Sequence, residues 1–304
     1  MASYLAKRIA FSFVAFIAVT IVAFVMFQVV AVYQRPPGPP LYQQYWDYLR
    51  PMLLHASLGQ TYNRQDMTHV VIQFLPVTAA VVIGGAILWL AFSIPLGIFS
   101  ALRPRSLFDR GILAVTLLAL CVHPIVIALF CSYLFGFRLG LLPIQGYCHP
   151  FSPPPGAACG GVGAWFSHLV LPCLALAVTF AALYTRMIRV SVLEELSGDY
   201  VRTARAKGAT ESRVLTSHVL RNVLLRLETM LSMDVGLAIM GALYVEVVFG
   251  LPGLGNEAWT SIAREDWPVL QAIVVFTGFL VIAVNLVVDL VYAAVDPRVR
   301  LTRA

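Results

Sequence analysis

Three carboxylates stand where water has little access: Asp234, Glu246 and Asp289 each interrupt a long apolar run. An ionisable side chain in a bilayer is expensive and normally functional, and a set of acids is what the proton or sodium relay of an ion-coupled secondary transporter needs. The plainer reading is structural or gating. Asp234 lies about five residues, roughly 7.5 Å of helix rise, inside its run, and Asp289 about two turns from the end of the last one. With Glu246 near the outer end of its run, all three can reach an interface, a partner subunit or a water-filled cavity. Sulfur offers a second chemistry. Cys148 and Cys159 share the segment "GYCHPFSPPPGAACGG", and in an exterior compartment such thiols oxidise, which predicts a disulfide. With His149 they would offer three metal ligands, but the spacing fits no standard zinc pattern and no metal is assigned. The third group is cationic. "DYVRTARAKGATESRVL", residues 199–215, carries arginines that can grip carboxylates or phosphates. Absent are G-x-x-x-x-G-K-[ST], H-E-x-x-H and G-x-S-x-G, so the chain is expected to bind no ATP by that route and not to be an enzyme.

The elements that position these groups are set by lipid. Of 304 residues 60% are hydrophobic and only 12% charged, about half the charge of a soluble domain. A hydrocarbon core about 30 Å thick needs ~20 apolar residues of helix, and six runs qualify, at approximately 9–32, 74–102, 111–137, 167–190, 229–250 and 269–295. They are long and do not alternate, which favours helices over barrel strands. The first is read as a retained span, not a cleaved signal peptide, because it is too long and no small-x-small site follows. With six spans and both ends on one face, 16 of the 21 Lys and Arg share a side, and the positive-inside rule puts both termini in the cytoplasm. The inner segment 191–228, basic stretch included, is then the main cytosolic element. No basic surface is large enough to track a duplex, so nucleic acid is not a partner, whereas anionic lipid is. Cys121, Cys131 and Cys173 fall inside spans as small packing residues, and His123 with Pro124 marks a kink, the imidazole satisfied or touching a substrate. Outside, "RPPGPP" cannot be helical in its middle, and the aromatics after it suit an interface. "GLPGLG" at 250–255 reads as tight turns or a re-entrant dip.

On a helical wheel Tyr200, Ala204 and Gly208 fall within roughly 80°, with Arg202, Arg205 and Arg213 about opposite. A small-residue stripe lets another backbone approach, and Gly208 suits a terminator or hinge; a helix resting on headgroups would look the same. The stretch resembles the EAA loop of ABC importer permeases in the form found in the dipeptide/oligopeptide permease family. "RTARAKG" falls on that loop's E-A-A-x-x-x-G pattern, Ala204 and Gly208 matching, and "DYVRTARAKG" is followed by "HVLRNVLL". "FRLGLLPIQGY", "GALYVEVVFGLPGLG", "REDWPVLQA" and "NLVVDLVYAAVDPRVR" resemble the same family, nearly end to end. Two departures stand out. Arg226 occupies a place where the family usually has Pro, which predicts a less kinked fifth span, and the first outer segment is shortened.

The resemblance implies an all-α type I importer permease fold of about six spans over 1–304, in the cytoplasmic (inner) membrane of a prokaryote. It implies a second permease subunit as a heterodimer, two cytoplasmic ATPase subunits or one fused ATPase, and an external substrate-binding protein. ATP and Mg would sit on the ATPases and no cofactor on this chain. The ATPase-coupling residues would be Asp199, Tyr200, Arg202, Thr203, Ala204, Arg205, Lys207, Gly208 and Ala209. Ala204 and Gly208 would give close approach, Tyr200 packing in the ATPase groove, and Arg202, Arg205 and Lys207 charged contacts. Candidates for the gate or translocation path are Asp234, Glu246, Gly250, Pro252, Gly253 and Asp289. Di- and oligopeptides, nickel chelates and other small solutes are the family's cargo.

Overall fold

The computed structural model describes residues 2–32, 39–55, 57–60, 66–151 and 159–295. Among them the chain is helical: α1 Ala2–Val32, α2 Leu41–His55, α3 Met67–Leu102, α4 Leu107–Cys121, α5 Pro124–Cys131, α6 Val162–Leu196, α7 Asp199–Ala206, α8 Glu211–Arg213, α9 Leu220–Phe249, α10 Leu254–Ala263 and α11 Trp267–Val295. Single π-helical stretches follow α5 and α8. The apolar runs become α1, α3, α6 and α11, each long and apolar enough to cross a membrane, with the pairs α4–α5 and α9–α10 qualifying as broken spans.

The third expected span is not one helix. It breaks between Cys121 and Pro124 and bends by 107°. Val122 is extended, Pro124 opens α5, and the His123 ring nitrogen accepts the N–H of Ile125 at 3.3 Å as an N-cap. Proline supplies no N–H to α4 and pushes the preceding residue out of helical geometry, so the expected kink becomes a corner. α9, by contrast, starts well before the expected fifth span and runs through Arg226 without interruption. The aromatic segment after "RPPGPP" is a helix, α2, which the sequence reading left without structure; residues 33–38 of that segment lie outside the described ones.

The chain forms two compact units. The first comprises Met1–Thr78, Val235–Ile239 and Pro252–Ala304. In it α1 packs along α11, where Gly278 leaves room for Val19: a Cβ there would stand 2.7 Å from the Val19 side chain. Phe16 meets Phe279 edge-on at 5.7 Å. Thr20, fully buried, bonds the Tyr45 hydroxyl of α2 at 3.0 Å.

The second unit, Ala79–Asp234 with Met240–Leu251, is built around α6, whose Leu171, Leu176, Tyr184, Ile188 and Val192 are essentially inaccessible. Glycines of α3 set how closely the helices approach. A Cβ at Gly84 would come within 2.6 Å of Cys173 Sγ, and one at Gly97 within 2.7 Å of Ile188, as small-residue packing in membranes requires. Trp89 stacks on Phe180 with centroids 4.6 Å apart. Near the C-terminal end of α6, Arg189 donates to Asp109 in the first turn of α4 through Nε at 2.6 Å and Nη2 at 2.8 Å. Asp109 also accepts from Ser100 Oγ and the Arg105 amide, so a carboxylate exposed by only 2% has its acceptors filled.

Candidate coupling surface and outer turn

α6 ends at Leu196, and α7 begins at Asp199 after two intervening residues. Gly198 precedes α7; the Tyr200 ring lies against it, 2.8 Å from where a Cβ would be. α7 buries Val201 and leaves Asp199, Arg202, Thr203, Arg205, Lys207 and Gly208 exposed, with Ala204 and Ala209 half-buried. The helix stops because Gly208 adopts φ +82, a conformation glycine takes without strain. The amides of Lys207, Gly208 and Ala209 turn back onto the carbonyls of Thr203, Arg205 and Ala204. Nothing lies within 4 Å of a Cβ built on Gly208. The surface is therefore a short cationic helix with an open glycine corner, the shape a partner's groove can accept.

Arg202 stands 3.9 Å from Asp199 in an exposed pair, and Arg205 and Tyr200 are engaged more closely inside the chain. Arg205 forks onto Glu211 across the glycine corner, Nε to Oε1 at 2.7 Å and Nη2 to Oε2 at 3.1 Å. This pairing holds the Glu211 carboxyl below its ordinary range and raises the Arg205 guanidinium. The Tyr200 hydroxyl donates to Glu195 Oε2 at 2.5 Å, so it turns toward its own chain while 40% of the residue stays exposed. Partial burial, reinforced by the Glu195 bond, raises the phenol above its ordinary value. Asn222 and Arg226 converge on the same carboxylate. The sequence reading passed over Glu194, Glu195 and Asn222; the available signal was an acidic pair ahead of a basic segment, together with Arg226 in a proline's place.

Also in the second unit, α9 ends with Gly250 at φ +60, its amide and that of Leu251 both returning to the Glu246 carbonyl. Glu246 is wholly buried. The last carbonyls of α9 are capped by the preceding loop: Gly146 N–H donates to Phe249 O at 3.0 Å and Gln145 Nε2 to Val248 O at 3.3 Å. That loop is closed by a Cys148–Cys159 disulfide. The imidazole beside the sulfurs is His168 of α6, 3.3 Å from Cys148 Sγ, whereas the His149 ring meets Tyr147. Joined to each other, the sulfurs leave no thiolate for a metal. In the first unit, Gly253 precedes α10, and the Leu254 amide is taken by Thr78 Oγ1 at 3.0 Å. Pro252 sits in the turn before it. Asp234 and Glu246 share α9 but stand about 18 Å apart along it, too far for a direct proton hop. The Asp289 side chain lies outside the described residues.

The sequence profile described as "Binding-protein-dependent transport system inner membrane component" matches residues 93–301. The chain belongs to this family. Its members are inner-membrane permeases, and the helical, span-rich fold agrees. The permease is 31% identical to the "Di/tripeptide transport system permease protein DppB" of Pseudomonas aeruginosa, over 99% of both chains. It is 36% identical to a Brucella abortus protein provisionally named a peptide transport system permease, over 82% of this chain and 77% of that one. It is 34% identical to the "Probable peptide ABC transporter permease protein" of Sinorhizobium fredii, over 70% of this chain and 66% of the relative.

Proposed function

We propose that the chain is a translocation subunit of an ABC importer for di- and oligopeptides, moved by ATP hydrolysis on partner subunits that seat α7 in a surface groove. The observation that carries this reading is the exposed α7 with its unobstructed corner at Gly208, in a permease whose named relatives handle peptides. Lys207 and Ala209 flank that corner, Asp199 and Arg202 are exposed further back along α7, and Thr203 is tied to the helix by its hydroxyl bond to the Asp199 carbonyl. Both termini and α7 face the cytosol on this reading, and the outer turn from Glu246 through Gly253 faces the binding protein and gates the path. A second permease, two ATPases or one fused ATPase holding ATP and Mg, and the binding protein complete the machine. The chain itself does no hydrolysis.

Substitution at Gly208 tests the coupling. Asn tolerates positive φ and adds little bulk; Trp fits the empty space of the isolated chain but not a closed groove. Gly208→Asn is expected to retain ATPase association and ATP-driven dipeptide uptake in proteoliposomes. Gly208→Trp is expected to insert normally and lose both. Normal uptake by the Trp variant, or uptake by this chain alone under an ion gradient, would refute the coupling reading.

A further inference from the structure

We propose that Glu195 is the positioning residue of the inner segment, a single carboxylate that locks α7 to both membrane helices flanking it. The inference rests on the coupling reading and deepens it. α7 has only 8 residues, too short to hold helical form on its own, and glycines at 198 and 208 bracket it with potential hinges. Its apolar anchor is Val201. A push on such a helix would be lost in hinge motion unless a cross-link made the segment rigid.

Glu195 supplies that link. Its Oε2 accepts from the Tyr200 hydroxyl at 2.5 Å, in the first turn of α7, and from Asn222 Nδ2 at 2.9 Å, near the start of α9. Its Oε1 accepts from Arg226 Nη2 at 2.7 Å. The other arm of Arg226 reaches Glu194 Oε2 at 2.6 Å. Glu195 itself is the last residue but one of α6. Three donors from two elements therefore meet on one carboxylate whose side chain is 10% exposed, whereas the Glu194 side chain is 59% exposed. Water competes weakly for the first and strongly for the second, so Glu195 carries the junction and Glu194 orients the guanidinium. A proline at 226 would offer no donor and would bend α9; the arginine keeps the helix straight and closes the network.

Force applied to α7 thus reaches α6 through Glu195 and α9 through Asn222 and Arg226 together. The test uses the whole complex in proteoliposomes, with a labelled alanyl dipeptide as cargo. Its readout is the number of dipeptides moved per ATP hydrolysed, with tryptic cleavage after Arg202 and Lys207 of the free permease as a second readout. Tyr200→Phe and Glu195→Gln preserve shape, and each is expected to lower the transport ratio on the order of tenfold, the factor that one hydrogen bond to a charged group is worth. Cleavage is expected to quicken by a similar factor as α7 opens locally. Arg226→Ala should behave like them, and Arg226→Lys should recover most of the ratio.

An unchanged ratio in Glu195→Gln and Tyr200→Phe overturns the inference, even with faster cleavage, because Glu195 would then only stabilise the fold. If Gly208→Trp fails while these variants couple normally, this inference falls and the coupling reading stands. If Gly208→Trp couples normally, the coupling reading falls first. A complex that moves no dipeptide refutes the substrate class, and the junction is then decided by whether binding protein still stimulates ATP hydrolysis in Glu195→Gln and Tyr200→Phe, undiminished stimulation overturning it.

Discussion

The segment from Glu194 to Arg226, read as inner, and that from Leu139 to Gly161, read as outer, are both held in place, but by different bonds. Inside, the ties are charged side chains: Arg226 on Glu194 and Glu195, Arg205 on Glu211. Outside, they are a disulfide and backbone hydrogen bonds, Gly146 to Phe249 and Gly161 to His149, with Trp165 Nε1 donating to the Tyr147 hydroxyl. Charged pairs in contact with water break and re-form with little net cost, whereas a covalent link fixes a loop whatever the helices do. The contrast suits a segment that must move as a unit against a partner on one face, and a turn that must keep its shape on the other. It can be broken by finding that the inner segment keeps its place without its charged side chains, or that the outer one yields to salt alone.

The largest expected effect is at Arg189–Asp109, the ion pair most shielded from water among the described residues. Arg189→Ala leaves the Asp109 carboxylate, 2% exposed, without its cation, and is expected to cost about 3–5 kcal/mol, read as a fall in thermal unfolding temperature in detergent. Asp109→Asn with Arg189→Met should recover much of the loss, because a neutral pair carries no desolvation penalty for charge. A loss no greater than that of an exposed pair would show that water reaches the site, and inner and outer stiffness would have to be compared anew.

Next is the outer loop. Cys148→Ser removes a bridge spanning 11 residues, worth about 3 kcal/mol in loop-closure entropy of the unfolded chain. Wild-type protein unfolded under reducing conditions should show the same deficit, and the Ser variant should then be insensitive to reductant. A variant as stable as the oxidised wild type would mean that the Gly146 and Gly161 backbone bonds alone hold the loop.

How much of this was legible in the sequence follows the range of each interaction. Apolar runs of span length gave α1, α3, α6 and α11, because hydropathy over ~20 residues is a local property. The motif over Arg202–Gly208 fell on α7 and its glycine terminator for the same reason. Cys148 and Cys159 could be paired because two cysteines on one outer loop leave few choices. What escaped needed three dimensions. The corner at His123 was expected only as a kink, since whether a proline bends or breaks a helix depends on what packs around it. Asp109 and Arg189 are 80 residues apart, and each alone looks like an ordinary interfacial charge. His168, one helix away from Cys148, carries no pattern linking it to the sulfurs. Tyr200 was given a partner-facing role by the resemblance alone, and nothing local in the sequence points to the acid near the end of α6 that its hydroxyl meets.

The smallest effects come from pH at the two exposed inner contacts, and their signs oppose each other. Glu211 has its carboxyl held below the ordinary value of 4.5 by Arg205. A depressed acid stabilises the corner above that value and loses the contribution as pH falls through its folded value. Tyr200 is shifted up from its ordinary 10.0. A raised phenol contributes while protonated, so its bond to Glu195 fails as pH rises through the folded value. The inner joint therefore loosens at both ends of the scale. In NMR titration, Glu211 should ionise below 4.5 and return toward it in Arg205→Ala; tyrosinate absorbance should lose one late-titrating component in Tyr200→Phe. The Arg205–Glu211 contact is open to water, so added salt should shrink the Glu211 effect within a Debye length of about 3 Å at 1 M, while the disulfide-closed outer loop stays unchanged. An outer loop that loosened with the same salt dependence would mean that charge, not the covalent link, sets its position, and the two faces would no longer differ in kind.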